Sequence, residues 1–158
     1  MSYKNNIQHK YLEKFMREAL KMAHKAYQNN EVPVGSVITM NKKIIGYGCN
    51  SVIRNNSVAS HAEINAINQA SSYLNNYRLS NCQIYVTLEP CHMCAKAIVD
   101  ARIENLYFGA FEPKTGAISS IDKFLDRKDI NHRTQYSGGH MQDQSSDLLK
   151  KFFKLKRL

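Results

Sequence analysis

No apolar run in this 158-residue chain approaches the ~18–20 residues that a membrane-spanning helix needs. The first ten residues, Met1 to Lys10, are polar and lack the apolar stretch of a secretory signal. There is no internal repeat, no low-complexity linker and no tail of consecutive like charges. Solenoids, arrays and disordered interaction tails are thereby set aside. Cysteine is scarce. Of Cys49, Cys82, Cys91 and Cys94, only the last two are close in sequence. With no export signal, the expected location is the cytoplasm, where thiols stay reduced and paired cysteines bind metal or do chemistry more often than they form disulfides. Acid is scarce too. Asp and Glu number 13 against 22 Lys and Arg, a formal charge of +9. Such an excess favours polyanionic partners through counterion release. It is concentrated at one end: Lys150, Lys151, Lys154, Lys156 and Arg157 fall in the last nine residues, with no acid among them.

What is present fits one globular domain over residues 1–158, with 1–10 expected to be flexible. The chain is long enough to build a core without disulfide or metal staples. Tyr11 to Gln28 carries Leu12, Phe15, Met16, Ala19, Ala23, Ala26 and Tyr27 at three- and four-residue steps, which predicts an amphipathic helix. Val34–Met40 and Ile44–Cys49 are expected strands, joined by a polar Asn41-Lys42-Lys43 hairpin. Further helices are expected from Ser60 to Tyr73, Cys91 to Ala101 and Ser145 to Lys156. Further strands are expected at Cys82–Leu88, Ile103–Gly109 and Thr134–Ser137. Cys49 and Cys82 sit in apolar strand-like runs and are expected in the core. The central βα alternations imply parallel strands, and the opening hairpin implies an antiparallel pair. Both fit an α/β fold with a five-stranded mixed sheet and helices on both faces.

Two short motifs carry the chemistry, His61-Ala62-Glu63 and Pro90-Cys91-His92-Met93-Cys94. Both stand where a loop or strand gives way to a helix. Positions three apart share a helix face, so Cys91 and Cys94 can grip one ion. Pro90 suits a helix start, and the positive end of the helix favours thiolates. Taken alone, the pair could equally be a redox couple or two core residues. Ser60-His61-Ala62-Glu63 could likewise be a capping box, with Glu63 reaching back to cap its own helix. Together the motifs favour a metal. One imidazole and two thiolates make three ligands and leave a position open, the pattern of a catalytic zinc. No spacing supplies a fourth ligand: His92 points away if its neighbours face the ion. Glu63, two residues after a ligand, is placed for general acid/base work on a water activated by the metal. H-x-E followed by P-C-x-x-C is the signature of zinc nucleobase deaminases, and the chain matches it in order and separation.

The chain resembles the bacterial tRNA-specific adenosine deaminases of the cytidine deaminase superfamily. The resemblance runs from about Tyr11 to Leu158. Its carriers are Glu31-Val32-Pro33-Val34-Gly35, His61 to Ala66, Tyr85 to Cys94, Phe108-Gly109-Ala110, Lys114-Thr115-Gly116-Ala117, Asn131-His132-Arg133 and Phe152-Phe153. It implies a three-layer α/β/α, cytidine deaminase-like fold and one zinc per subunit on His61, Cys91 and Cys94. It implies Glu63 as the proton shuttle and Asn50 as a hydrogen-bond partner of the purine. Val34, Ala62, Glu89, Lys114, Asn131 and Phe153 are further expected substrate contacts. The implied activity is hydrolytic conversion of adenosine to inosine at the wobble position of an arginine tRNA anticodon, by a homodimer. Phe111-Glu112-Pro113 departs from the more polar segment expected there, which bears on contacts to flanking nucleotides. Three rival readings stand beside this one: a deaminase of a free base or nucleotide such as guanine or cytosine, a zinc-stabilised RNA-binding module without activity, and a plain basic domain.

Overall fold

Asn41 and Lys42 both take positive φ, 51° and 62°. That pair is the geometry of a two-residue turn matched to the twist of a hairpin. It folds β1 (Gly35–Met40) back on β2 (Lys43–Cys49), as the polar triplet predicts. The computed structural model describes residues 3–157, with side chains from residue 8 onward. The remaining elements are α1 (Tyr3–Gln28), α2 (Ala62–Leu74), β3 (Cys82–Leu88), α3 (His92–Asp100), β4 (Asn105–Ala110), β5 (Gln135–Ser137) and α4 (Gln142–Lys156). The five strands form one sheet in the order β2-β1-β3-β4-β5. β1 is antiparallel to both β2 and β3, while β3, β4 and β5 run parallel. This is the expected mixed sheet.

Alternation along β1 divides the core. Val37 packs on one side with Phe15, Met16, Ala19 and Tyr85 beneath α1. Ile38 packs on the other with Ala62, Ala66, Ile84 and Ile98 beneath α2 and α3. α4 lies on the α1 side: Phe152 meets Tyr27 with ring centroids 6.1 Å apart, and Ser145 closes on Gly109. The result is three layers, helix–sheet–helix. Gly48 makes one contact possible: a Cβ there would overlap the Ala62 carbonyl, so the first turn of α2 can lie directly on β2.

Two expectations change. α1 begins at Tyr3 rather than Tyr11, so residues 3–10 extend the expected helix. Met1 and Ser2 lie outside the described residues. Cys82 is buried as expected, but Cys49 is only half-buried, at the last residue of an edge strand. No helix among the described residues is long and apolar enough to cross a membrane.

Candidate active site

α2 and α3 both start at the ends of connections that leave the sheet beside the carboxyl end of β3. His61 is the residue that caps α2, and Cys91 is the one that caps α3. Each has extended backbone (φ −72°, ψ 155° and φ −75°, ψ 176°) and neither side chain caps its own helix. No side chain is spent on a cap, while the backbone carbonyls accept the first intrahelical bonds: His61 from Asn65 N–H at 3.0 Å, and Cys91 from Ala95 N–H at 2.9 Å. That frees both side chains to turn toward each other. Pro90 therefore stands one place before the cap rather than inside the helix, and its carbonyl accepts from Ala117 N–H. The capping box does not form. The Ser60 hydroxyl accepts from Asn55 Nδ2 at 3.1 Å, and Glu63 faces the Cys94 and His61 side chains.

His61 Nδ1 lies 3.7 Å from Cys91 Sγ and 3.5 Å from Cys94 Sγ, with all three atoms within 4.8 Å of one another. Zinc bonds of ~2.3 Å to sulfur and ~2.0–2.1 Å to nitrogen, at tetrahedral angles, put the S···N edge at about 3.6 Å. The residues present therefore fit a zinc ion without rearrangement. They form the one such three-residue group among the described residues. His92 bonds Asp122 at 2.8 Å, and His132 donates to the Ile103 carbonyl at 2.8 Å. His24 is exposed on α1 and His140 bonds Ser137. Among the described residues, none of these four joins the His61, Cys91 and Cys94 group. Without metal, the hydrogen bond from Cys94, helped by His61, holds the Cys91 thiol down to about 4. Donating to Cys91, together with burial, pushes the Cys94 thiol up. Burial also pushes the Glu63 carboxyl above its ordinary range. A carboxyl placed beside a metal site is suited to taking and returning a proton.

These groups open on a cavity of about 540 Å³, within the size range of small-ligand sites. Val34, Asn50, His61, Ala62, Glu63 and Cys91 all line it. Asn50 Oδ1 is buried and has no hydrogen-bond partner among the described residues, while the Asn50 backbone N–H is fixed to the Val34 carbonyl at 3.0 Å. A buried acceptor left open in a cavity wall is a ready partner for a ligand N–H.

The MafB19-like deaminase family matches residues 11–157. A tRNA-specific adenosine deaminase of Haemophilus influenzae is 42% identical over 152 residues, covering 96% of this chain and 88% of the relative. One of Rickettsia bellii is 45% identical over 141 residues, covering 88% and 97%. A structure solved in a study of A-to-I editing by tRNA:A34 deaminases superposes with a TM-score of 0.84 at 39% identity, covering 86% of this chain and 99% of the other. The chain belongs to the tRNA-specific adenosine deaminase family.

Within that family frame, four of the expected substrate contacts fall differently. Glu89 lines the cavity, but its carboxylate is turned into the following loop. There it accepts from the backbone N–H groups of Glu112, Ile118, Ser119 and Ser120 and from the Ser120 hydroxyl. Burial alone would raise its pKa; those donors more than offset it and hold the carboxyl below its ordinary value. Asn131 lies away from the cavity. β5 runs parallel to β4, so the residues just before it sit at the amino end of the strands, where His132 and Thr134 bond the Ile103 carbonyl. Lys114 is exposed, and its neighbour Thr115 is the lining residue. Phe153 is 44% exposed and packs edge-on against Phe152, which lines the cavity in its place. Sequence reasoning missed Glu31, Val52, Thr115 and Lys156 in the lining. Lys156 had a visible signal: it follows Phe152 by four residues and so shares its helix face.

Proposed function

We propose that the chain hydrolytically deaminates adenosine to inosine at the wobble position of a tRNA anticodon, with an arginine tRNA as substrate. The observation that carries the chemistry is the His61, Cys91 and Cys94 trio, spaced for zinc at the wall of a cavity that also holds Glu63 and the open Asn50 acceptor. The family membership supports the substrate class. A homodimer working in the cytoplasm with one zinc per chain completes the reading, on the resemblance to the same family.

His61, Cys91 and Cys94 would hold the zinc. When bound, zinc supplies a water whose pKa is lowered toward ~7. Asn50 orients the purine through its edge, and Val34 and Ala62 pack against the base. Glu63 takes a proton from the attacking water and delivers one to adenine N1. As the new C6–O bond forms, the C6 carbon becomes tetrahedral. Glu63 then helps protonate the exocyclic nitrogen, which leaves as ammonia, so that adenosine plus water gives inosine plus ammonia. The adenosine must leave its stack to enter, which costs least in a single-stranded loop.

Glu63→Gln tests this assignment. The side chain keeps its shape and loses its proton-carrying role. Elemental analysis should still find about one zinc per chain, while turnover of an anticodon stem-loop falls by at least ~10²–10⁴-fold. Cys94→Ala should lose the zinc. Loss of zinc from Glu63→Gln would make Glu63 a ligand or a structural group, and full zinc in Cys94→Ala would overturn the ligand set.

A further inference from the structure

Three carboxylates line the cavity, Glu31, Glu63 and Glu89. Glu63 is engaged with the His61 and Cys94 side chains. Glu31 and Glu89 are each only 2% exposed, and neither takes part in an ion pair among the described residues. A buried carboxylate without a cation is costly unless hydrogen bonds satisfy it. Backbone donors satisfy both, and the donors belong to two different loops. Glu89 Oε2 gathers the successive N–H groups of Ile118, Ser119 and Ser120 at 3.1, 2.8 and 3.0 Å, a backbone anion cradle. Its Oε1 takes Glu112 N–H at 3.1 Å and the Ser120 hydroxyl. Gly116 lets that loop close: a Cβ there would overlap the carboxylate. Glu31 takes Arg54 N–H at 2.8 Å and Ile53 N–H at 3.3 Å. The first loop presents Thr115 to the cavity, and the second presents Val52 and Ile53.

We propose that Glu31 and Glu89 are paired positioning residues, each fixing one of the two loops that wall the cavity against the incoming nucleotide and its neighbours. Neither touches the reacting atoms; each acts through the backbone it holds. A carboxylate is needed because it only accepts. Glutamine turns one acceptor into a donor that faces N–H groups, so part of the cradle is lost while size is kept. The loop contacts are made equally to bound substrate and to the transition state, so their loss weakens binding and leaves the chemical step nearly untouched. The identity of the ligand rests on the tRNA reading above; the anchoring of the loops does not.

The test uses full-length, zinc-loaded Glu89→Gln and Glu31→Gln, with amide hydrogen exchange and steady-state kinetics on an anticodon stem-loop. Exchange should accelerate over 112–120 in the first variant and over 52–54 in the second. KM should rise about tenfold or more, kcat should stay within about threefold, and zinc content should hold at one per chain. Glu89→Asp, which keeps an acceptor-only group, should recover part of the KM. Faster exchange with unchanged KM would confine the two residues to stability and overturn the proposal, as would a loss in kcat alone. If Glu89→Gln does not fold, Ser120→Ala removes one donor and should raise KM about threefold; no rise would overturn the proposal equally. A wild-type protein that leaves the stem-loop untouched would instead sink the tRNA reading, with the exchange arm still deciding whether the carboxylates hold their loops.

Discussion

Cys82 and Cys91 carry the same thiol in opposite surroundings. Burial pushes Cys82 up to about 11, while hydrogen bonds from Cys94 and His61 hold Cys91 down to about 4 in the metal-free site. A lowered thiol pKa means thiolate throughout the neutral range, and a raised one means unreactive thiol until the solution is strongly alkaline. Brief alkylation of chelator-stripped protein near pH 6 should therefore modify Cys91 and spare Cys82, and restoring zinc should protect Cys91. Modification of Cys82 ahead of Cys91, or labelling that zinc does not slow, contradicts the site. At this scale the sequence is informative where chemistry is local. The ligand set shows in two motifs of three and five residues. The proposed role of Glu89 does not, because its partners lie 23 to 31 residues away and, apart from the Ser120 hydroxyl, are backbone groups without a side-chain identity. A carboxylate next to a metal motif reads as a substrate contact until its loop is seen.

Among the elements, helix starts are where sequence and structure come closest and then part. Both helices begin within two residues of where the pattern predicts. The capping residues, His61 and Cys91, are two of the three proposed ligands, which no capping preference suggests, since Ser60 is the better cap by type. α4 follows its amphipathic pattern. Leu148 and Phe152 are buried and Leu149 half-buried, while Lys150, Lys151, Lys154 and Arg157 are exposed. Lys156 also lines the cavity, so the basic helix reaches from the solvent to the site mouth. Neutralising Lys150, Lys151, Lys154 and Arg157 should weaken stem-loop binding and flatten its salt dependence. Four lost phosphate contacts lower the log–log slope by up to about 3. An unchanged slope would make the strip an ordinary solvated face. The polar start of α1 was not legible: residues 3–10 lack the apolar spacing by which helices are recognised.

At the scale of the whole molecule, the fold explains why one small cavity is joined to a large charged surface. The parallel strands gather the two helix starts at one end of the sheet, a common place for ligands in α/β folds. The cavity can hold a base, but a lone base brings little binding energy. Contacts beyond it, from the two loops and α4, supply the binding energy that a lone base lacks. The +9 charge has a use in that scheme and none in a deaminase of free bases. The decisive measurement offers the protein an anticodon stem-loop with adenosine at the wobble position and, separately, free adenine, guanine, cytosine and their nucleosides. Products are digested to nucleosides where needed and quantified as inosine or hypoxanthine, xanthine or xanthosine, and uracil or uridine. Inosine is expected in the stem-loop and nearly no product from the free compounds; robust turnover of a free base with no inosine in the stem-loop would overturn the assignment to tRNA.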